Sequence, residues 1–494
     1  MSARLISTRV KVVNRKILLL QPPGFGLEKG KGKPSLPLAL VYVAALVPDD
    51  IKVEIVDLRL TRLTGDLLQR WRDPEILAVG LTAITGLQAK TASETAAVLR
   101  KAEIGPIVWG GKHATLFGET LVRDGLADYA IIGDGEDAFA QLAAALRDAD
   151  SVQNVPGVWH RDASGVSRTG EPAPFELERI ERLPFTLLRH DYLYRKQNKW
   201  VGVLETSRGC PGRCTYCYLS TRTKPFWRGA PADWVMRAID DLTRTFPRAG
   251  HIDFVDDNFF ADRERALQIA RLMPRRHPGL TWTSNGGRLR DLAAMENSEL
   301  AQLAAGGLDR VDIGVETGSP RIAEMLHKSE EPGLVHAQVK RLLAAGIRPW
   351  INLMIGFPDE DEADRGQTLD LALDLTKAGA LVSPIYAYTP YPGTTLAQDL
   401  AARGYAIPTA ADLADASWNY SRAPWVSPEL AAQLGVIYTA SLFIDDKLTT
   451  YRPGPLASLL LKVLRPLSRR RLRRRRFGRP WERRLLRFFF GEHV

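Results

Sequence analysis

Short apolar runs alternate with helix-like stretches twice along this chain, first up to about residue 150 and again from Trp200 onward. The first region has five such runs, each ending in a Gly- or Pro-rich turn: KILLLQPP (16–23), KVEIVDL (52–58), ILAVGLTA (76–83), IVWGGKH (107–113) and YAIIGDGE (129–136). LPLALVYVAALV and ASETAAVLRKA, which lie between them, are typical of helices. This alternation predicts an α/β fold with a doubly wound, Rossmann-like parallel sheet that binds ligands at the carboxyl ends of its strands.

The second region contains six strand-like runs, each followed by helical sequence: WVGVLETSRGC, HIDFVDDNFF, LTWTSNG, LDRVDIGVETGS, RPWINLMIGFP and LVSPIYAYTPYPG. Six consecutive βα units predict a partial (β/α)6 barrel whose site lies at the strand ends. We therefore expect four segments: the doubly wound domain over 1–150, a hairpin and linker over 151–199, the partial barrel over 200–395, and a helical C-terminal region with a basic tail over 396–494.

All three cysteines of the chain, Cys210, Cys214 and Cys217, lie in the segment SRGCPGRCTYCYLS that follows the first barrel strand. A disulfide would leave one of them over, and zinc would want a fourth ligand. His190 and His251 exist, but no Cys or His stands nearby at zinc-ligand spacing. Structural apolar cysteines would not crowd into a Gly- and Pro-rich loop. The remaining interpretation, and the favoured one, is an iron–sulfur cluster with one iron left for another ligand.

This spacing, with Tyr216 just before the last cysteine, resembles the radical S-adenosylmethionine (SAM) superfamily. The resemblance implies that Cys210, Cys214 and Cys217 hold a [4Fe–4S] cluster whose open iron binds the amino and carboxylate groups of SAM. It also implies that Tyr216 and residues at the later strand ends contact SAM, namely Asp256, Asp257, Ser284, Asn285, Glu316, Ser319, Lys328, Ile355 and Gly356.

The resemblance gives several of these residues a specific role. Asp256 and Asp257 would accept the ammonium group, with a helix N-cap as the alternative for either one. Glu316 would accept hydrogen bonds from the ribose, since a buried carboxylate needs donors. Lys328 would meet the SAM carboxylate or else be a solvated helix lysine, and the backbone of Ile355 and Gly356 would pack against adenine.

The first region resembles the cobalamin-binding domain that precedes the barrel in cobalamin-dependent radical SAM enzymes. Glycines at its strand ends would let the backbone approach a large flat ligand and its nucleotide tail. The implied cobalamin contacts are Thr82, Ala83, Ile84, Thr85, Gly110, Gly111, His113, Gly133, Asp134, Gly135 and Glu136. Residues 1–112 contain no His, so we expect no imidazole of the D-x-H-x-x-G type beneath cobalt.

This combination of domains implies methylation of an unactivated carbon in a small-molecule or natural-product substrate. In the family, SAM is cleaved to a 5′-deoxyadenosyl radical that activates the substrate, and methylcobalamin supplies the methyl group. The resemblance also implies an external electron donor of the flavodoxin or ferredoxin type. A non-methylating cyclase or rearrangement enzyme that uses cobalamin is the alternative. A cobalamin carrier or sensor is another, although it would have no use for the three cysteines.

The charge of the chain is concentrated at its C-terminal end. Residues 447–494 contain 15 Lys or Arg and two Glu, whereas the whole chain has a net charge of only +10. The body therefore lacks the basic surface of a nucleic-acid binder. We expect the tail from about Arg465 to be a solvated extension that cofactor binding does not need, with a membrane-surface contact or a nucleic-acid contact as alternatives.

The location of the protein is also an expectation from the sequence. The three cysteines favour a reducing compartment. The N-terminus shows no signal peptide, and no segment approaches the roughly 20 apolar residues of a membrane span. We expect a cytoplasmic protein.

The cysteine loop gives a direct prediction. Anaerobically reconstituted protein should bind about four iron and four sulfide, and Cys214→Ala should abolish both the cluster and the formation of 5′-deoxyadenosine. Iron and sulfide analysis measures the first result, and chromatography of the products measures the second. A stoichiometric zinc site without iron absorbance in the native protein would refute the prediction.

Overall fold

The structure is a computed structural model that describes residues 15–24, 34–196, 199–221, 226–328, 331–414, 423–448, 455–478 and 481–482. The chain divides into two compact units, the first built mainly from residues before Phe175 and the second mainly from residues after it. Among the described residues, no helix combines the length and apolarity that crossing a bilayer would require.

The first unit is a seven-stranded sheet with the strand order β2-β1-β3-β4-β5-β6-β7. Its strands are β1 (Lys16–Gln21), β2 (Lys52–Asp57), β3 (Ile76–Thr82), β4 (Ile107–Gly110), β5 (Tyr129–Ile131), β6 (Val158–Asp162) and β7 (Gly165–Arg168). Its helices are α1 (Leu38–Ala44), α2 (Gly65–Arg70), α3 (Leu87–Lys101), α4 (Gly111–Arg123) and α5 (Gly135–Asp148).

The predicted doubly wound sheet is confirmed. Strands β1 to β5 are parallel, and the β6–β7 hairpin extends the sheet in antiparallel fashion. Ile17 to Leu20 of β1 are almost completely buried, as expected for a central strand with helices on both faces. The strand order reverses between β1 and β3, and ligands of such sheets bind outside the carboxyl ends of the strands at that point.

The second unit contains an eight-stranded sheet, in which seven strands have the order β16-β15-β14-β13-β12-β9-β8. The eighth strand, β17, pairs with the end of β15, after the part of β15 that pairs with β16. Its strands are β8 (Tyr194–Lys196), β9 (Lys199–Leu204), β12 (Ala249–Phe254), β13 (Thr281–Gly287), β14 (Leu308–Glu316), β15 (Arg348–Ile355), β16 (Leu381–Val382) and β17 (Tyr386–Ala387). All neighbours pair in parallel except β8, which is antiparallel to β9. This sheet is the predicted partial barrel. A separate two-stranded ladder joins β10 (Ser207–Cys210) to β11 (Phe226–Gly229).

Helices follow the barrel strands in the βα order that the sequence predicted. They are α6 (Ala232–Thr245), α7 (Arg263–Arg276), α8 (Leu289–Ala293), α9 (Asn297–Ala305), α10 (Pro320–Met325), α11 (Glu331–Ala344), α12 (Glu362–Ala378) and α13 (Thr395–Ala402). The C-terminal region adds α14 (Ala410–Ala414), α15 (Pro428–Ser441) and α16 (Pro455–Arg473).

The two faces of the barrel sheet differ in polarity. Along β14, Val311, Ile313 and Val315 are completely buried, while Arg310 and Asp312, at the alternate positions, are partly exposed. Successive side chains of a strand point to opposite faces, and helices α9 and α11 pack on β14. The apolar face therefore forms the core with the helices, and the polar face lines the inside of the half-barrel.

The basic C-terminal region is not a solvated extension, so that expectation is wrong for the part through Arg475. Leu461, Leu464 and Leu472 of α16 are buried, and α16 packs against α12 and α15. The Arg475 guanidinium donates to the Gly366 carbonyl (2.9 Å) and to a carboxylate of α12. The helix completes the second unit by covering apolar surface that its neighbours expose.

This packing predicts a stability effect within α16. Leu472→Ala should lower the free energy of unfolding by about 2–4 kcal/mol, because it removes buried methyl groups and leaves a cavity. Leu467→Ala on the exposed side of the same helix is the matched control and should change it by less than about 0.5 kcal/mol. Urea unfolding followed by circular dichroism measures both variants. Equal effects would show that the helix does not pack as described.

Candidate active site

The cysteine loop emerges from the end of the first barrel strand. Residues 207–210 form β10, whose antiparallel ladder with β11 closes the base of the loop. Gly209 has φ +86°, and a Cβ there would lie 2.3 Å from the Phe226 carbonyl oxygen. Only glycine fits this position, so the ladder and its glycine set the direction in which Cys210 leaves the strand.

Asp256, at the end of β12, anchors the start of this loop. One of its oxygens accepts the backbone N–H of Thr206 (2.7 Å), and the other accepts the hydroxyls of Thr206 (2.7 Å) and Ser207 (2.5 Å). The side chain is buried, which raises the pKa of the carboxyl, while Arg265 and these donors oppose that rise. Arg265 itself is buried and donates to the Thr206 carbonyl (2.9 Å). Both oxygens of Asp256 thus serve the fold around the loop.

Asp257 accepts hydrogen bonds from the residue before Cys210 and from the residue after Cys217. It accepts the backbone N–H of Gly209 (2.9 Å), one residue before Cys210. It also accepts the hydroxyl of Tyr218 (3.1 Å), one residue after Cys217. The two adjacent carboxylates therefore act as a clamp across the loop, and we call them the Asp256–Asp257 clamp.

The rest of the loop is attached to later parts of the barrel. The Thr215 hydroxyl donates to the Met325 carbonyl (2.9 Å) at the end of α10, and the Thr215 carbonyl accepts the N–H of Leu396 (2.9 Å). The Ser220 hydroxyl accepts the N–H of Thr395 (3.2 Å) at the start of α13. The loop is thus fixed from three directions, which prepares its thiols for a ligand.

The thiols themselves are half-buried. Burial raises the pKa of the Cys217 thiol to about 12, an effect that the neighbouring cysteines and Asp257 increase. Burial also raises the pKa of Cys210, whereas Arg288 lowers it. Arg288 and Cys210 both border Gly212, since a Cβ added to Gly212 would lie 3.3 Å from the Cys210 sulfur and 3.4 Å from Arg288 Nε. Thiolates in this loop need the positive charge of bound metal, and Arg288 supports one of them.

The donor set, three free thiols in one loop, fits an iron–sulfur cluster. Within the described residues, no three His, Cys, Asp or Glu side chains converge closely enough to enclose one metal ion. A cluster attaches each thiolate to a different iron and does not require such convergence. His251 is engaged elsewhere, because its ring nitrogens contact Thr281 (2.7 Å) and Asp253 (3.1 Å).

Glu316 and Lys328 form a buried ion pair at the end of β14, with 3.5 Å between Lys328 Nζ and Glu316 Oε1. Lys328 also donates to the Gly314 carbonyl, and the Tyr216 hydroxyl hydrogen-bonds to Glu316. Burial, followed by the charge of Glu316, raises the pKa of Tyr216 well above its usual value. Glu316 has φ +72°, a strained conformation for a residue with a side chain. The pair links a residue of the cysteine loop to the strand end that was predicted to bind SAM.

The other predicted SAM contacts are engaged within the protein. Ser284 donates to the Gly286 carbonyl (3.0 Å), and Ser319 caps α10 and donates to Asp364 (2.5 Å). The N–H of Gly356 donates to Glu360 (2.5 Å), and the carbonyls of Ile355 and Gly356 accept from Tyr388 N–H and Trp425 Nε1. Asn285 is exposed and accepts from Arg310 (3.3 Å). Their assignment to SAM stays a prediction.

Sequence reasoning missed four residues that shape this site: Thr206, Tyr218, Arg265 and Arg288. Thr206 and Tyr218 adjoin the cysteine loop, so their proximity in sequence was an available signal. Arg265 and Arg288 lie near the starts of α7 and α8, where arginines usually face solvent. Only the fold brings them to the loop.

The predicted cobalamin contacts lie at or just after the carboxyl ends of β3, β4 and β5. These three strands are neighbours in the first sheet. Gly111 has φ +86°, and a Cβ there would lie 2.9 Å from both the Ala83 carbonyl and the Thr82 hydroxyl. The N–H of His113 donates to the Ala83 carbonyl (3.0 Å). The glycine thus lets the loops after β3 and β4 join. A Cβ on Gly110 would meet open space, so its backbone is approachable.

Two helices begin at this edge without a side-chain cap. Neither Gly110 before α4 nor Asp134 before α5 caps its helix through a side-chain hydrogen bond, and Asp134 instead accepts the N–H of Phe175 (3.0 Å). The amides of a helix N-terminus attract anions such as phosphate. The open glycine backbone and these amides fit a large ligand with a nucleotide tail, while Ile84 adds an exposed apolar side chain. Thr85, Gly133, Gly135 and Glu136 belong to the same strand ends.

His113 lies inside α4 and is buried. Its ring packs 4.9 Å from that of Phe117 and 6.0 Å from that of Trp109. Burial lowers the pKa of the imidazole to about 4, so it is neutral at physiological pH. The histidine is part of the helix packing, and its predicted cobalamin contact stays a prediction.

Two family models match this chain. The Radical SAM superfamily model matches residues 204–372, and the B12 binding domain model matches residues 32–143. The uncharacterized methyltransferase PH0819 of Pyrococcus horikoshii is 29% identical over 395 residues, 77% of this chain and 82% of the relative. The anaerobic magnesium-protoporphyrin IX monomethyl ester cyclase of Rubrivivax gelatinosus is 24% identical over 372 residues, 73% of this chain and 63% of the relative.

A solved structure shares the fold over nearly the whole chain. The cobalamin-dependent SAM radical enzyme OxsB with aqua-cobalamin bound has a TM-score of 0.72 and 17% identity, covering 98% of this chain and 76% of its own. At this identity the likeness concerns the fold.

One variant distinguishes the two roles considered for Asp256, which are anchoring the cysteine loop and binding the SAM ammonium. If Asp256 anchors the loop, Asp256→Ala should lower the free energy of unfolding by about 3 kcal/mol, because it leaves the donors of Thr206 and Ser207 without their acceptor and removes a charge that offsets buried Arg265. It should also reduce iron retention in the absence of SAM. The exposed Asp233→Ala is the control and should change stability by less than about 0.5 kcal/mol. Unchanged stability and iron content with weaker SAM binding would instead assign Asp256 to the SAM ammonium.

Proposed function

We propose that this chain, which belongs to the cobalamin-binding radical SAM superfamily, methylates an unactivated carbon of a small-molecule substrate. The observation that carries the proposal is the presence, in one chain, of a clamped three-cysteine loop on a half-barrel and a B12-binding sheet with an open glycine edge. A methyltransferase among the relatives, matched over 82% of its length, supports methyl transfer as the outcome.

The residues of the barrel would prepare the reaction by holding its components. Cys210, Cys214 and Cys217 would bind the cluster, and the Asp256–Asp257 clamp would fix their loop. Glu316 and Lys328 present a carboxylate and an ammonium side by side, which suits a ligand with hydroxyl and carboxylate groups. When bound, the cluster supplies the electron that cleaves SAM, and cobalamin carries the methyl group.

The first sheet would hold cobalamin through its backbone. Gly110 leaves its strand end open, Gly111 lets the loops after β3 and β4 join, and the amides at the starts of α4 and α5 offer donors to the nucleotide tail. His113 is neutral and packed in α4, in keeping with a site that relies on backbone contacts.

An external reductant would complete the system. The chain has three cysteines, all in one loop, so it has none left for a second cluster ligated by cysteine. The electrons for SAM cleavage would come from a flavodoxin or ferredoxin type protein.

A non-methylating cyclase is the second candidate, because a cyclase is also among the relatives. Both candidates consume SAM and form 5′-deoxyadenosine, so this product does not separate them. The fate of the methyl group does. A carrier or sensor of cobalamin would leave SAM intact.

The test uses the full chain, reconstituted anaerobically with cluster and cobalamin and incubated with deuteromethyl SAM, a reductant and extracts of the producing cell. We expect a product that contains the intact deuterated methyl group, detected by mass spectrometry, together with 5′-deoxyadenosine. Cys217→Ala, which removes one cluster ligand, should give neither. A new product without the label, formed with 5′-deoxyadenosine, would favour the cyclase. Bound cobalamin with no SAM turnover would favour a carrier.

A further inference from the structure

Helix α16 carries an apolar ridge on the side that faces away from the protein. Leu459, Val463 and Leu467 are 60%, 52% and 45% exposed. Residues four apart lie on the same face of a helix, so the three side chains form a row about 12 Å long. We call this row the α16 ridge.

The ridge differs from the other exposed apolar residues. The described residues include five more large apolar side chains that are at least 37% exposed, each in a different part of the chain: Leu60, Ile84, Val98, Val255 and Leu334. Single exposed apolar residues are normal on soluble proteins. A contiguous row indicates an interaction surface.

The ridge and the core-facing side of α16 are different sides of the helix. Leu461, Leu464 and Leu472 already occupy that side and are buried. Arg469 Nε donates to the Ile444 carbonyl (2.6 Å), and Arg475 is bound to α12. These contacts fix the rotation of α16 about its axis, so the ridge is held outward.

Positive charge surrounds the ridge. Lys462, Arg470, Arg473 and Arg474 are exposed, and α16 has no acidic residue along its whole length. Lys462 lies next to Val463, and the arginines follow Leu467 by three to seven positions. A surface that matches the helix must therefore be apolar and anionic at once.

We propose that the outer face of α16 docks on the surface of an anionic lipid bilayer. The ridge would enter the boundary between head groups and acyl chains, while the flanking Lys and Arg side chains would contact lipid phosphates. Long basic side chains suit this geometry, because their stems are apolar and their charged ends reach the head groups. A nucleic acid would match the arginines but would offer the ridge no apolar partner.

This surface is independent of the chemistry proposed for the barrel. In the described part of the chain, α16 packs mainly on α12 and α15, and no residue assigned above to the cluster, SAM or cobalamin lies on these two helices. Variants of the ridge should therefore leave iron content and SAM cleavage unchanged, and both are measured in parallel with binding. Failure of methyl transfer would not affect the proposal.

The experiment is co-sedimentation of the full chain with vesicles of phosphatidylcholine, with or without an equal part of phosphatidylglycerol. The ridge variant carries Leu459→Gln, Val463→Gln and Leu467→Gln, and its control carries Leu60→Gln and Leu334→Gln. The charge variant carries Lys462→Gln, Arg470→Gln and Arg473→Gln. Its control removes three exposed lysines elsewhere, through Lys52→Gln, Lys101→Gln and Lys340→Gln.

We expect the wild-type chain to bind anionic vesicles and to bind neutral ones weakly. The ridge variant should lose about tenfold or more in affinity. The charge variant should lose roughly 100-fold, and salt should weaken wild-type binding. Both controls should bind like the wild type.

Three results would overturn the proposal. Equal binding by the wild type and the ridge variant would leave only a general electrostatic attraction. Equal losses in the charge variant and its lysine control would show that location on α16 does not matter. Tighter binding to a short RNA or DNA duplex, unaffected by the ridge variant, would assign the surface to nucleic acid.

Discussion

The Asp256–Asp257 clamp is the interaction on which the barrel site depends. Two neighbouring carboxylates take hydrogen bonds from the residues that precede Cys210 and from Tyr218 after Cys217. Their backbone is fixed in turn by β13, where Gly286 packs so closely that a Cβ would lie 2.0 Å from the Asp256 carbonyl oxygen. Buried Arg265 compensates the charge of Asp256. Strands β10, β12 and β13 thus determine where the cysteine loop presents its thiols. This is how a rigid scaffold positions reactive groups.

The two units use different means to prepare a strand edge for a ligand. In the first sheet, Gly110 presents backbone without a side chain, and Gly111 allows the close contact between the loops after β3 and β4. In the barrel, Glu316, Lys328 and Tyr216 supply charged and polar side chains in a buried setting. A backbone surface suits a ligand with a large area and a phosphate-containing tail, whereas buried charges suit a small zwitterion.

Helix α16 packs on the protein core with one side and exposes an apolar ridge on the other. Its inner side completes the apolar core beside α12 and α15, and its outer side leaves a ridge flanked by cations. The arginines are divided accordingly. Arg469 and Arg475 hold the helix to the protein, whereas Arg470, Arg473 and Arg474 face solvent. A run of similar residues therefore performs two tasks, which depend on the position of each residue around the helix axis.

Local pattern determined much of this protein. The apolar runs predicted the parallel strands of both sheets, because burial on both faces demands continuous apolar sequence, and the spacing of Cys210, Cys214 and Cys217 predicted the cluster loop. Contacts between distant residues were decided only by the tertiary structure. Asp256 meets Thr206 across 50 positions, Ser319 is taken by Asp364, and Arg475 reaches α12. A carboxylate, a serine or an arginine has the same local signature whether it binds a ligand, caps a helix or faces water. Its partner, brought close by packing of the core, decides which of these it does.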